Sequence, residues 1–152
     1  MTLEQRFFTI SPDIYCIVGM DGLIIQVNPS FEKVLGFTKE EVLGQSYIGF
    51  VHEDSAPATV EAFLTLQLGI ATRYHNRYKC KDGSYKWVEW IVEPVLEEGV
   101  MYALGRDFTE LHQVLEERER FFSVGADLLS IGTFDGSLTW VSPSWEKTLG
   151  WT

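Results

Sequence analysis

Tyr74-His-Asn-Arg-Tyr-Lys-Cys-Lys-Asp-Gly-Ser-Tyr-Lys-Trp-Val-Glu-Trp90 is the stretch that decides the fold. Before Asp82, the residues Tyr74, Asn76, Tyr78 and Cys80 alternate with Arg73, His75, Arg77 and Lys79. Successive side chains of a strand point to opposite faces, so one face is aromatic and small and the other cationic. Asp82-Gly83 interrupts the alternation, and Asp-Gly between two alternating runs marks a hairpin. After the turn, Tyr85, Trp87, Glu89 and Ile91 share one face, and Val88, Trp90 and Val92 the other. Large apolar groups on both faces make this second strand central and covered on both sides.

The chain before this hairpin reads as alternating short elements. A short amphipathic helix over 2–9 carries Phe7 and Phe8. Strands follow at 14–18 and 23–27, joined by a turn at Met20-Asp21-Gly22. Asn28-Pro29 opens a helix, with Asn28 as the N-cap and Pro29 at the first helical position, where its missing N–H costs nothing. Phe31, Val34 and Leu35 give that helix its buried side, and Gly36 ends it. Thr38 and Glu41 have the spacing of a capping box for another short helix. A longer helix is expected over 54–68, with Val60, Phe63, Leu64 and Leu66 on a broad apolar face. After the hairpin, 100–106 reads as a last strand. Asp107, Thr109 and Glu110 then form the cap of a charged helix running to about residue 122.

The bulk numbers narrow the function. The chain has 152 residues, 45% hydrophobic and 14% aromatic, enough for a packed core. Twelve basic against 22 acidic residues give a net charge of −10, which disfavours nucleic acid and anionic membrane as partners. No apolar run approaches the length needed to cross a bilayer. The N-terminus lacks a basic start followed by an apolar stretch, so no signal peptide is expected, and the expected location is cytoplasmic. Cys16 and Cys80 read as buried reduced thiols, and His52, His75 and His112 are too dispersed for a metal site.

An internal repeat organises the rest. Arg6-Phe-Phe-Thr-Ile-Ser-Pro-Asp13 returns as Arg120-Phe-Phe-Ser-Val-Gly-Ala-Asp127. Val27-Asn-Pro-Ser-Phe-Glu-Lys-Val-Leu-Gly-Phe-Thr38 returns as Val141-Ser-Pro-Ser-Trp-Glu-Lys-Thr-Leu-Gly-Trp-Thr152. The offset is constant, 120 − 6 = 114. The second copy stops after its first helix, so the expectation is a piece of a longer tandem protein, with 123–152 unstable alone.

These motifs carry a family resemblance. They are Asn28-Pro29 with Leu35-Gly36-Phe37-Thr38 and Glu40-Glu41, Val51-His52-Glu53-Asp54, Lys81-Asp82-Gly83-Ser84-Tyr85 with Trp87, and Arg106-Asp107-Phe108-Thr109-Glu110. Over 6–112 the chain resembles a PAS domain with its C-terminal PAC segment, and 120–152 resembles the start of a second one. The resemblance implies an α+β fold with a five-stranded antiparallel sheet of order 2-1-5-4-3 and helices on one face. It divides the chain into a PAS domain over 1–109, a connector helix over 110–122 and a truncated second domain over 123–152. It implies a non-catalytic sensory module upstream of a histidine kinase or a diguanylate cyclase. Adjacent PAS and output domains of the same protein would be its partners, and Asn28, Asp107, Thr109 and Glu110 its capping and relay residues.

Specific chemistries find little footing. The region Gly44–Val51 has no cysteine where a photoreactive flavin domain of this family would carry one, and 54–69 has no histidine for haem. No cofactor is therefore expected, and no catalytic constellation is evident. A cleft between sheet and long helix remains open to an unknown small ligand. Its candidate lining is Ile17, Ile25, Phe31, Leu35, Phe63, Leu66, Tyr78, Trp87 and Leu104, with Asn76, Tyr78 and Trp87 as polar handles. Such bulky groups ordinarily just fill a core. With Trp87 inward, Val88, Trp90, Val92 and Met101 would face outward as an apolar patch. Together with Phe7 and Phe8 they are the candidate surface of a homodimer.

Overall fold

A computed structural model describes residues 1–124, 130–141 and 143–150. The chain divides into two compact units, Met1–Thr109 and Glu110–Thr152.

In the first unit, α1 (Leu3–Ile10) leads into strands β1 (Ile14–Gly19) and β2 (Ile24–Val27). Three helices follow, α2 (Pro29–Leu35), α3 (Lys39–Val42) and α4 (Ala56–Gln67), with single 3-10 turns at Tyr47–Phe50 and Glu53–Ser55. Strands β3 (Thr72–Lys79), β4 (Tyr85–Val95) and β5 (Val100–Asp107) close the sheet. It is antiparallel and five-stranded, in the order β2-β1-β5-β4-β3, as the resemblance implied. The core lies on the face that packs α2 and α4: Ile14, Phe31, Leu35, Val42 and Val88 are almost fully buried there.

The Asp-Gly hairpin sets which residues reach that core. Lys79 pairs with Tyr85, and Tyr74 with Trp90. The loop is thus longer than a two-residue Asp-Gly turn. Gly83 N–H bonds Cys80 O at 3.0 Å, Cys80 N–H bonds Ser84 O at 2.8 Å, and Gly83 takes φ +88°, the left-handed region open to glycine. The side-chain period of a strand is two, so a one-residue difference in register turns every side chain over. Opposed residues share a face, so Trp90 and Val88 lie with Tyr74 and Asn76, and Trp87 lies with Arg77.

The expectation of Trp87 inward is therefore corrected. Val88, Trp90, Val92 and Met101, expected on an outer docking face, are core residues, each at most 4% exposed. The correction propagates across β5, where Trp90 opposes Gly105 and Val92 opposes Ala103. It reaches β1, where Cys16 opposes Ala103 and Ile17 opposes Tyr102. Ile17, Ile25, Trp87 and Leu104, expected inside, belong to the outer side. The helix α4 buries Thr59, Ala62 and Leu66, while Val60 and Leu64 stay exposed.

The second unit holds α5 (Thr109–Val124, by one residue shared with the first), β6 (Ser130–Gly132), β7 (Leu138–Val141) and α6 (Ser144–Leu149). Its hairpin copies the first one residue for residue at the offset of 114. Ser130 pairs with Val141 as Cys16 pairs with Val27, and both hairpins break register at the equivalent step, Ile131/Gly132 and Ile17/Val18. Gly150 ends α6 in the left-handed region as Gly36 ends α2. Of the repeated segment, residues 125–127 lie outside the described residues, as do Trp151 and Thr152.

Candidate functional site: the core cavity and the strand that holds the connector

Between the sheet and α4 lies a cavity of about 30 Å³. Of the residues proposed from sequence, Phe31, Phe63, Leu66 and Tyr78 line it. Leu35 is buried in the same core without reaching the cavity wall. Asn76 is buried beside it. Ile17 and Leu104 instead line a groove of about 420 Å³ on the other sheet face, together with Phe8 and Tyr15. Ile25 is half exposed. Trp87 packs there against Phe108 and His75 and under the Arg77 guanidinium, 5.4 Å above its ring.

The walls that sequence reasoning missed are Tyr47, Tyr74, Trp90, Val92, Met101 and Ala103, with Cys16, Val18 and Ile24. A usable signal was present. Trp90 needs small neighbours, and only the Met101, Ala103, Gly105 face of β5 offers them. A Cβ on Gly105 would fall 2.6 Å from the Trp90 ring.

Two polar features mark this core. Trp90 Nε1–H donates to Asn76 Oδ1 at 3.0 Å, and Asn76 Nδ2–H donates to Thr59 Oγ1 at 3.0 Å. Thr59 in turn donates to Ser55 O at 2.7 Å. All three side chains are buried, so the chain of bonds ties central strand, edge strand and α4 in a dry setting. The other feature is a set of tyrosines. Tyr47, Tyr74 and Tyr78 all face the cavity, and none of their hydroxyls is hydrogen-bonded among the described residues. Burial pushes all three phenols up, Tyr47 to about 12 and Tyr78 well above its ordinary value. Burial also pushes the Cys16 thiol up to about 12, so it stays protonated at neutral pH.

Asn28, expected as a helix cap, makes no capping bond with its side chain. It is buried and works as a clamp. Its Oδ1 accepts from Tyr15 N–H at 2.9 Å, and its Nδ2 donates to Phe8 O at 3.1 Å and Asp13 O at 2.9 Å. The end of α1 and the start of β1 are thereby fixed to the α2 entry. Arg106 adds a two-pronged pair to Asp13, at 2.9 and 3.2 Å. Phe8 stacks on Tyr15, while Phe7 is exposed.

At the other end of the unit, the backbone of Trp87 grips the chain just before α5. Its C=O accepts from Phe108 N–H at 3.0 Å, and its N–H donates to Thr109 Oγ1 at 2.9 Å. Asp107 Oδ1 accepts from both Thr109 N–H and Oγ1–H, at 3.0 and 2.6 Å. The Lys86 ammonium lies 3.3 Å from the Asp107 carboxylate. Burial raises the Asp107 carboxyl, but the Thr109 bonds and the Lys86 charge outweigh it and hold it below its usual value. Glu110, expected to close a capping box, is exposed and returns no bond. Among the described residues no cluster of His, Cys, Asp or Glu could hold a metal, and no helix is long and apolar enough to cross a membrane.

A half-covered antiparallel sheet, an aromatic cavity beneath α4 and a strand whose backbone bonds Phe108 and Thr109 define an α+β domain. Comparison with known proteins gives the family: a model described as PAS fold matches residues 24–105, more than half of the chain, and the chain belongs to the PAS family. It is similar to the PAS domain of an HTR-like protein from Haloarcula marismortui, with 28% identity and a TM-score of 0.60 over 69% of this chain and 88% of that one. A domain of a sensory box sensor histidine kinase/response regulator from Geobacter sulfurreducens shares the fold at 20% identity and a TM-score of 0.60, over 68% of this chain and 90% of that one. So does the PAS domain of a quorum-sensing receptor from Cronobacter turicensis in complex with C12:0, at 20% identity and 0.58, over 66% and 98%.

Proposed function

We propose that this chain is a non-catalytic sensory and dimerising module. It passes a change in its sheet through α5 to further PAS and output domains of one multidomain sensor, a histidine kinase or a diguanylate cyclase. The observation that carries the reading is the double hold of the Trp87 peptide on Phe108 and Thr109. Trp87 sits on central strand β4, three residues from Trp90 in the cavity wall, so a shift of β4 pulls directly on the start of α5. A domain of a sensor histidine kinase with the same fold agrees with that output. Thr109→Val removes the acceptor of Trp87 N–H while keeping the shape. Amide hydrogen exchange should quicken at Trp87 and along the first turn of α5, and unchanged exchange there would refute the relay.

Dimerisation is supported by the apolar outer face. Ile91 and Tyr102 are exposed there, Ile17 and Leu104 half-buried, and Phe7 on α1 is 63% exposed. A homodimer through this face and α1 would cover them. Sedimentation at micromolar concentration should give a dimer that Ile91→Glu dissociates. A monomer before substitution sinks the dimer.

A second reading is favoured by the unbonded tyrosines. Tyr47, Tyr74 and Tyr78 line one cavity and none of their hydroxyls is hydrogen-bonded among the described residues, which supports a small organic ligand there. Native mass spectrometry of the chain purified from cells tests it, with extra mass expected and apo mass counting against it. A visible absorption band would replace it with a coloured cofactor.

A further inference from the structure

We propose that the tyrosine-lined cavity selects uncharged molecules presenting an acceptor oxygen, a carbonyl or hydroxyl compound, and rejects carboxylates. This rests on the second reading above, since it assumes that the cavity takes a ligand.

The lining contains no lysine, arginine or histidine. Tyr78 is only 4% exposed and its hydroxyl has no partner among the described residues. Tyr47 and Tyr74 bring two further unbonded hydroxyls to the same space. Tyr78, Tyr74, Tyr47 and Cys16 all line this one cavity. Each phenol stays neutral in this setting, so it meets a ligand as an O–H donor. A neutral carbonyl satisfies such donors at little desolvation cost. A carboxylate would have to leave water without any cation to meet it, and an unpaired buried charge is far more costly than a polar group with its hydrogen bonds made.

The ring faces of Phe31, Phe63, Tyr78 and Trp90 leave the rest of the wall apolar, which suits a flat apolar body behind the acceptor. As it stands, the cavity has room for about two waters, at about 10–15 Å³ each. A larger ligand enters by displacing them where the wall is incompletely buried, at Tyr47, Phe63 and Tyr74. Tyr47 and Phe63 pack on each other there with ring centroids 5.8 Å apart. They lie over Gly22, where even a Cβ would come only into ordinary contact, 3.6 Å from Tyr47 and 3.9 Å from Phe63.

Two isosteric pairs test the selection: benzamide against benzoate, and the smaller acetamide against acetate. The readout is the Trp90 indole N–H resonance, identified by its loss in Trp90→Phe and held by Asn76 at the cavity wall. The expected result is a saturable shift with at least one amide and none with its acid. Tyr78→Phe, which keeps the ring, should weaken amide binding about 5-fold, the worth of one hydrogen bond. An acid that binds as tightly as its amide overturns the proposal, and so does the absence of a saturable shift with both amides. Extra mass on the purified chain that identifies as an organic acid would leave the second reading standing and this one refuted. Apo mass together with silent amides would remove both. The relay reading is untouched by either, since hydrogen exchange in Thr109→Val decides it.

Discussion

Replacing Asn76 by leucine should destabilise the domain sharply although the volume is conserved. Asn76 is 1% exposed and Trp90 3%. The leucine leaves Trp90 Nε1–H without an acceptor in a dry core, while Thr59 keeps its bond to Ser55 O. A buried donor stranded in this way costs about 1–3 kcal/mol. For a unit of this size about 2 kcal/mol lowers Tm by about 8–16 °C. The decisive assay is a double-mutant cycle by urea denaturation followed by far-ultraviolet circular dichroism, with Trp90→Phe as the second arm. Trp90→Phe alone leaves a void and strands Asn76 Oδ1. In Asn76→Leu/Trp90→Phe the donor and the acceptor vanish together, so the double variant should be less destabilised than the sum of the singles by about 1–2 kcal/mol. Additivity to within about 0.5 kcal/mol would refute the claim that this bond couples edge strand to central strand.

Asn28→Ala removes three bonds that fasten α1 and β1, and should cost about 2–3 kcal/mol, with hydrogen exchange rising first at the end of α1; an effect spread evenly over the domain would contradict the clamp. Gly105→Ala drives a Cβ into the Trp90 ring and should cost about 1–3 kcal/mol through overpacking; a neutral substitution in thermal denaturation would mean that the ring moves freely. Alkaline pH provides a further test. Tyr74 and Tyr78 keep their protons in the folded state well above the ordinary tyrosine value of 10.0, so the unfolded chain sheds protons first. Stability is therefore full below about pH 10 and falls above it. Tyr78→Phe should make the decline of Tm with pH shallower, and an unchanged slope would refute the assignment.

The hairpin, the helix caps at Thr38 and Asp107 and the repeat were legible in the sequence, because turn chemistry and periodicity act locally, whereas the sheet order followed from the family resemblance alone. The facing of the strands was not legible by the same means. Alternation shows which residues share a face, never which face is inside, and in this sheet both faces are apolar. Ile17, Ile91 and Leu104 outside are as hydrophobic as Val18, Val92 and Met101 inside. The choice was made by one extra residue in the Asp82-Gly83 loop, and the same slip passed through three strand pairings to misplace residues as distant as Ile17. Size complementarity between Trp90 and Gly105 was the signal independent of the loop. Asn28 shows a different limit. Asn-Pro before a helix is a sound cap pattern, and the residue does stand at the cap, but its side chain meets better partners across the chain than in the first turn. At position 142 the repeat has serine. A hydroxyl can donate only one hydrogen, so it cannot reproduce the two bonds that Asn28 Nδ2 donates.

The corrected facing also changes what a signal in this domain must do. Had Trp87 pointed inward, a ligand would have touched the residue that holds the connector. With Trp90 inward, the cavity and the Trp87 ring lie on opposite faces of the same strand. What remains between them is the backbone of β4, held at Trp90 through Asn76 and Thr59 and at Trp87 by Phe108 and Thr109. A strand in a sheet is stiff along its length, so on the proposed relay a ligand that displaced Trp90 would move the Trp87 backbone with it. Asn76 opposes that displacement by tying Trp90 to α4. Weakening the Asn76 bond should therefore loosen the outgoing helix even though Asn76 lies nowhere near it. Hydrogen exchange at the first turn of α5 in Asn76→Leu is the measurement: faster exchange there than the global loss of stability accounts for supports transmission through the strand, and exchange that tracks global stability alone refutes it.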